Sequence, residues 1–144
     1  MGTAPLAPDL LTAWLAYLGE ERRASPRTLE AYAANLRVYL AFLQQHRGEV
    51  IDLASLGSVT AAELRAYLAF RRAGDEPLSP RSLAQSLSSI KSFHRWLDRR
   101  METPNAAVAQ VRGPRLKPTL PRPVAEDAAL GLLTEADDAE LDPW

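Results

Sequence analysis

The chain has 144 residues, 47% hydrophobic and 24% charged, which is enough for one packed domain and a tail. It has no cysteine, which excludes disulfides, a thiolate zinc site and a thiol nucleophile, and fits a cytoplasmic protein. No apolar run of about eighteen residues is present to span a membrane, and the N-terminus lacks the basic-then-apolar layout of an export signal.

The net charge of −1 conceals an asymmetry. Residues 1–122 hold all 17 Lys and Arg against 11 Asp and Glu, a balance of +6, whereas residues 123–144 hold seven acids and no base. A basic body with an acidic end points to a nucleic-acid partner for the body.

Apolar spacing predicts four helices and no strand. Helix one runs from Ala7 to Ala24 and places Leu10, Leu11, Trp14, Leu15 and Leu18 at helical intervals. Helix two opens at Ser25-Pro26, runs to His46 with Leu29, Tyr32, Ala33, Leu36, Leu40 and Leu43 on one stripe, and ends at Gly48. A loop through Leu56-Gly57-Ser58 leads to Thr60, which makes a capping box with Glu63. Helix three follows from Ala61 to Arg72 and turns Leu64, Tyr67 and Leu68 inward. Helix four runs from Ser79-Pro80 to Met101, where Thr103-Pro104 breaks it.

Residues 103–123 then read as an extended basic linker, with five prolines and with Arg112, Arg115, Lys117 and Arg122 between them. Val124 to Leu133 has the makings of one short helix, and the acidic stretch Glu135–Asp142 precedes Trp144. The expected organisation is a helical domain over 1–102, a linker over 103–123, and the truncated start of another domain or an acidic tail over 124–144.

Two helix starts repeat. Ser25-Pro26-Arg27-Thr28-Leu29 and Ser79-Pro80-Arg81-Ser82-Leu83 each offer a serine N-cap and a proline whose missing N–H has no helical partner to lose. Capping alone explains the serine and the proline. It does not ask for an arginine followed by a hydroxyl residue in both, and that pair at a helix N-terminus completes a phosphate seat.

On helix four, Gln85, Ser88, Ser92, Arg95 and Arg99 fall within about 40° of Arg81, while Leu83, Leu87, Ile90, His94 and Leu97 lie opposite. The outer stripe carries no acid, and its Gln and Arg side chains suit base edges and phosphates in a groove. Helix two offers Arg27, Ala31 and Ala34 with Asn35 at the edge, and is apolar on both sides further on through Val38 and Phe42. Ala31 and Ala34 equally allow another helix to pack closely.

No metal-ligand cluster, phosphate-cradling glycine loop or nucleophile elbow is visible, and no cofactor is expected. His94 faces inward as a core histidine, and Tyr17, Tyr32, Tyr39 and Tyr67 lie on or beside apolar stripes.

The order of these segments, SPRTLEAYAANL, then TAAELRAYL, then SPRSLAQSLSSIKSFHRWL, then PRLKPTLPRPV, resembles the N-terminal core-binding (SAM-like) domain and linker of tyrosine recombinases, the bacterial Xer branch in particular. The likeness covers residues 8–133, with Thr103-Pro104-Asn105-Ala106 standing where the family more often has Asn-Pro-Ala.

The resemblance implies an all-α, four-helix orthogonal bundle that forms half of a clamp around double-stranded DNA, with helices two and four at the major groove. On that basis the DNA contacts fall to Arg27, Thr28, Ala31, Asn35, Arg81, Ser82, Gln85, Ser89 and Arg95, with linker phosphate contacts at Arg112, Arg115 and Lys117. Ser89 enters from the family pattern alone, since the helical wheel puts it to the side of the stripe. The resemblance further implies partner recombinase subunits, a parent that resolves chromosome dimers, and catalytic residues in a C-terminal domain, so that this chain binds without cutting. A phage or integron integrase would share the fold. A helical adaptor for proteins, anchored on exposed Val38, Phe42 and Trp96, is the competing expectation.

Overall fold

A computed structural model describes residues 5–113, which contain six helices and no strand. Helix α1 spans Ala7–Glu20, α2 Pro26–Arg47, α3 Leu53–Gly57, α4 Ala61–Arg72, α5 Pro80–Met101 and α6 Ala106–Gln110. The four long helices are the four read from apolar spacing.

The helix ends follow local chemistry. Helix α1 stops at Glu20 rather than Ala24, because Glu21 and Arg22 N–H both bond Tyr17 O, Ala24 N–H returns to Leu18 O, and Arg23 takes a left-handed backbone. That reversal frees Ser25 to cap α2. Gly48 ends α2 at φ 68°, a conformation that costs glycine little.

Helix α2 is the central element and packs against α1, α4 and α5. Trp14, Leu36, Tyr39, Leu43, Leu64, Tyr67, Leu83, Ile90, Phe93 and Leu97 from these four helices are fully buried. Their rings interlock edge to face: Trp14 on Phe93 at 5.3 Å and Tyr39 on Tyr67 at 5.4 Å. Such burial contributes roughly 1.5–3 kcal/mol per large apolar side chain and holds the amphipathic helices in place.

Two short helices depart from the sequence reading. The stretch read as a loop forms α3, where Asp52 accepts from Ser55 N–H and Ser55 Oγ accepts from Asp52 N–H, both in a capping box. Residues 106–110, read as extended linker, form α6 instead. Asn105 Oδ1 accepts from Val108 N–H, and its Nδ2 donates to the carbonyls of Leu56 and Val59. Val108 and Val111 are buried, so the packed body continues past 102. Burial of these two valines outweighs the pull of the nearby prolines towards extended chain. The later linker residues and all of 124–144 lie outside the described residues.

Candidate nucleic-acid interface

The two repeated helix starts adopt the same geometry. Ser25 Oγ accepts from Thr28 N–H at 3.1 Å and donates to Thr28 Oγ1 at 2.9 Å. Ser79 Oγ accepts from Ser82 N–H at 3.1 Å and donates to Ser82 Oγ at 3.2 Å. The hydroxyls of Thr28 and Ser82 thus buttress their caps, and each keeps its own proton to give to an anion. Arg27 and Arg81, next to these hydroxyls, are exposed and make no ion pair among the described residues.

Helix α5 presents the expected two faces. Leu83, Leu87, Ile90, His94 and Leu97 are buried, while Arg81, Gln85, Ser88, Arg95 and Arg99 are exposed and Ser92 is partly so. Ser82 is half-buried beside its cap. Ser89 departs from the family-based expectation. It is only 2% exposed, and its hydroxyl donates back to Gln85 O at 3.0 Å, so it belongs to the interior and not to the exposed stripe.

On α2, Ala31 and Ala34 are exposed, and Asn35 is half-buried with its amide donating to Ala31 O at 3.2 Å. Arg112 is exposed at the end of the described chain. Arg115 and Lys117 lie outside the described residues.

The adaptor anchor does not form. Trp96 is buried, and Val38 and Phe42 pack against the core, with Phe42 against Tyr67 at 5.7 Å. The basic helix face, by contrast, is open.

Sequence reasoning missed Lys91. Its stem is partly buried on the flank of α5, and its ammonium donates to Ala109 O of α6 at 3.2 Å. Burial, with Arg95 and Arg112 nearby, holds its pKa below the ordinary lysine value. No local signal marks this residue, because its partner lies eighteen residues on.

His94 is a core residue, as expected. Its Nε2 shares a 2.8 Å hydrogen bond with Tyr39 Oη, and burial pushes its pKa down to about 4. Among the described residues no group of acids and histidines is placed to hold a metal ion, and no helix is long and apolar enough to cross a membrane.

What the described surface can do is bind a polyanion: two helix N-termini each flanked by a free arginine, joined to an exposed stripe without acids. Residues 11–101 match the family described as phage integrase, N-terminal SAM-like domain. The chain belongs to that family. Relatives of the SAM-like domain are found within longer proteins. A tyrosine recombinase XerC of Bradyrhizobium diazoefficiens is 40% identical over 143 residues, covering 97% of this chain and 44% of the relative. A tyrosine recombinase XerC of Methylobacterium nodulans is 42% identical over 129 residues, covering 88% of this chain and 39% of the relative. The chain therefore spans less than half the length of these relatives.

The SAM-like fold itself is matched by the crystal structure of the N-terminal domain of a phage integrase/site-specific recombinase from Haloarcula marismortui. That match has a TM-score of 0.62 at 17% identity, covering 78% of this chain and 100% of the other. The all-α architecture is thus shared where little sequence is.

Proposed function

We propose that this chain is the duplex-DNA-binding domain of a site-specific tyrosine recombinase, and that it grips the recombination site through α2 and α5. The observation that carries the reading is the acid-free face of α5, from Arg81 through Gln85 to Arg95, with Arg27 repeating the Arg81 arrangement at the start of α2. In this reading Arg27, Thr28, Arg81 and Ser82 hold phosphates, while Gln85 and Ala31 face base edges. Asn35 and Arg95 lie at the margins and reach base edge or backbone. Arg115 and Lys117 extend the phosphate contacts beyond the described residues.

Strand cleavage is assigned to other residues of the parent, which would work in the cytoplasm with partner recombinase subunits and resolve chromosome dimers. The names of the relatives support recombination as the setting.

Fluorescence anisotropy of the chain on a labelled duplex pool, repeated from about 50 to about 200 mM salt, tests the reading. Counterion release requires log affinity to fall with log salt by about 0.9 for each phosphate neutralised. A slope of several units is the expected result. A weak, flat response across the series would overturn the reading.

A further inference from the structure

We infer that Lys91, Arg95 and Arg112 form a third phosphate seat for the duplex, built where the chain leaves the helical body and held in shape by α6. The inference rests on the DNA-binding reading above and adds to Arg95 of the outer stripe two cations that the stripe does not carry, Lys91 on the flank of α5 and Arg112 on the exit segment.

The construction begins with α6. Lys91 donates to Ala109 O, so its ammonium neutralises the carbonyl end of α6 and ties that helix to the flank of α5. From Ala109 the chain runs back along α5 towards its N-terminus. Val111 is buried, and Gly113 lies so close to α5 that a Cβ there would sit 3.1 Å from Leu87 Cδ2 and 3.9 Å from Ala84 Cα. The passage of 109 beside 91 and of 113 beside 87 and 84 sets the direction of the exit.

Arg112 is exposed between these two packed neighbours, so its backbone is held while its guanidinium stays in solvent. Arg95 stands one turn beyond Lys91 on the same helix, also exposed. None of the three makes an ion pair among the described residues.

The surroundings of Lys91 contain charge of one sign. Arg95 on α5 and Arg112 on the exit segment both bear on its ammonium, and α6 contributes only a carbonyl, since Ala106–Gln110 has no titratable side chain. The fold thus sets Lys91 in the field of two arginines, with no carboxylate among the charges that bear on it. Their repulsion is relieved by an anion, and a phosphodiester oxygen is the anion the proposed partner supplies.

A proton follows the phosphate. Partial burial and the two arginines hold the free lysine below its ordinary value of 10.5, and a bound phosphate raises it again. Duplex affinity therefore falls as the pH climbs from neutrality towards that lowered value, because the free protein then carries less ammonium at the seat.

Anisotropy titrations of the full 144-residue chain on a duplex of about 30 base pairs, over salt and at pH 7 and about pH 9.5, test this. Arg112→Ala should flatten the salt slope by about 0.9 with an unchanged melting temperature, since the Arg112 side chain is exposed. Lys91→Arg should keep the slope and abolish the pH dependence. Lys91→Met should lose both, and its melt reports any loosening of α6. An unchanged slope in Arg112→Ala, or an unchanged pH dependence in Lys91→Arg, overturns the seat. A wild-type chain without salt-dependent binding removes the DNA reading itself, whereas steep wild-type binding with unaffected variants removes the seat alone.

Discussion

Arg27 and Arg47 lie near the two ends of α2 and carry the same charge under opposite conditions. Arg47 is saturated. Its Nη2 and Nε donate to the two Glu63 carboxylate oxygens at 2.8 and 2.9 Å, and its remaining donors reach Ser58 Oγ and Ser58 O. Glu63 in turn accepts from Thr60 N–H in the α4 capping box, so one carboxylate fastens α2 to the start of α4. Arg27, like Arg81, Arg95 and Arg112, makes no ion pair among the described residues. Some cations of this domain are consumed by the fold, and others are held out by it. Stability and anion affinity should therefore respond to different residues.

The largest effect belongs to the interior. His94 is held near 4 by burial against an ordinary 6.5, so the unfolded chain takes up a proton in a range where the native chain does not. Stability is full above about pH 6.5 and declines as the pH falls towards 4, by about 3 kcal/mol in all. Urea midpoints at pH 7 and pH 4.5 measure the loss, and His94→Gln should remove most of it. A wild-type midpoint that does not move over this range would mean the Tyr39–His94 pair is open to water.

Glu63→Ala comes next. It removes the side-chain half of the capping box, the acceptor for Thr60 N–H, and leaves Arg47 without its carboxylate, at a cost of about 2 kcal/mol in chemical denaturation. Its hydrogen bonds from Arg47 hold the Glu63 carboxyl at about 2, so its contribution is present above its ordinary 4.5 and disappears as the pH falls from there to 2. The salt slope of DNA binding should not change. A changed slope would put the Arg47 end of the bundle on the duplex and break the division.

On the open face, Gln85→Ala should cost about 1–3 kcal/mol on the preferred site and little on random duplex. Equal losses on both would assign Gln85 to the backbone. Arg27→Ala and Arg81→Ala should each flatten the salt slope by about 0.9 on every duplex, with stability within about 0.5 kcal/mol of wild type. Either variant with an intact slope would sink the phosphate role at that helix start.

The parts that were legible before the structure are those with a local cause. Four long helices follow from apolar spacing and Ser-Pro starts, and the buried and open faces of α5 follow from a wheel. Helices α3 and α6 were not legible, because five residues are too few for a period to show. Their signals are the caps Asp52 and Asn105, and Asn105 acts through carbonyls nearly fifty residues away. Lys91 escaped for the same reason, since Ala109 gives it its position. Ser89 teaches the converse. The wheel put it beside the stripe and the family pattern put it on the stripe, and the packed interior claims it.

The smallest effect tests whether the open cations stay open in the whole chain. Residues 123–144 carry seven acids and no base. A polyanionic segment on the same chain competes with duplex for unpaired arginines, and screening over about 10 Å at 0.1 M salt confines that competition to low ionic strength. Deleting 124–144 should therefore tighten duplex binding a few-fold at about 50 mM salt and leave it unchanged at about 200 mM. Equal affinities at both salts would show that the segment never visits the face. Tighter binding at both would mean that the segment opposes duplex binding by more than its charge, since screening removes a purely electrostatic competitor at the higher salt.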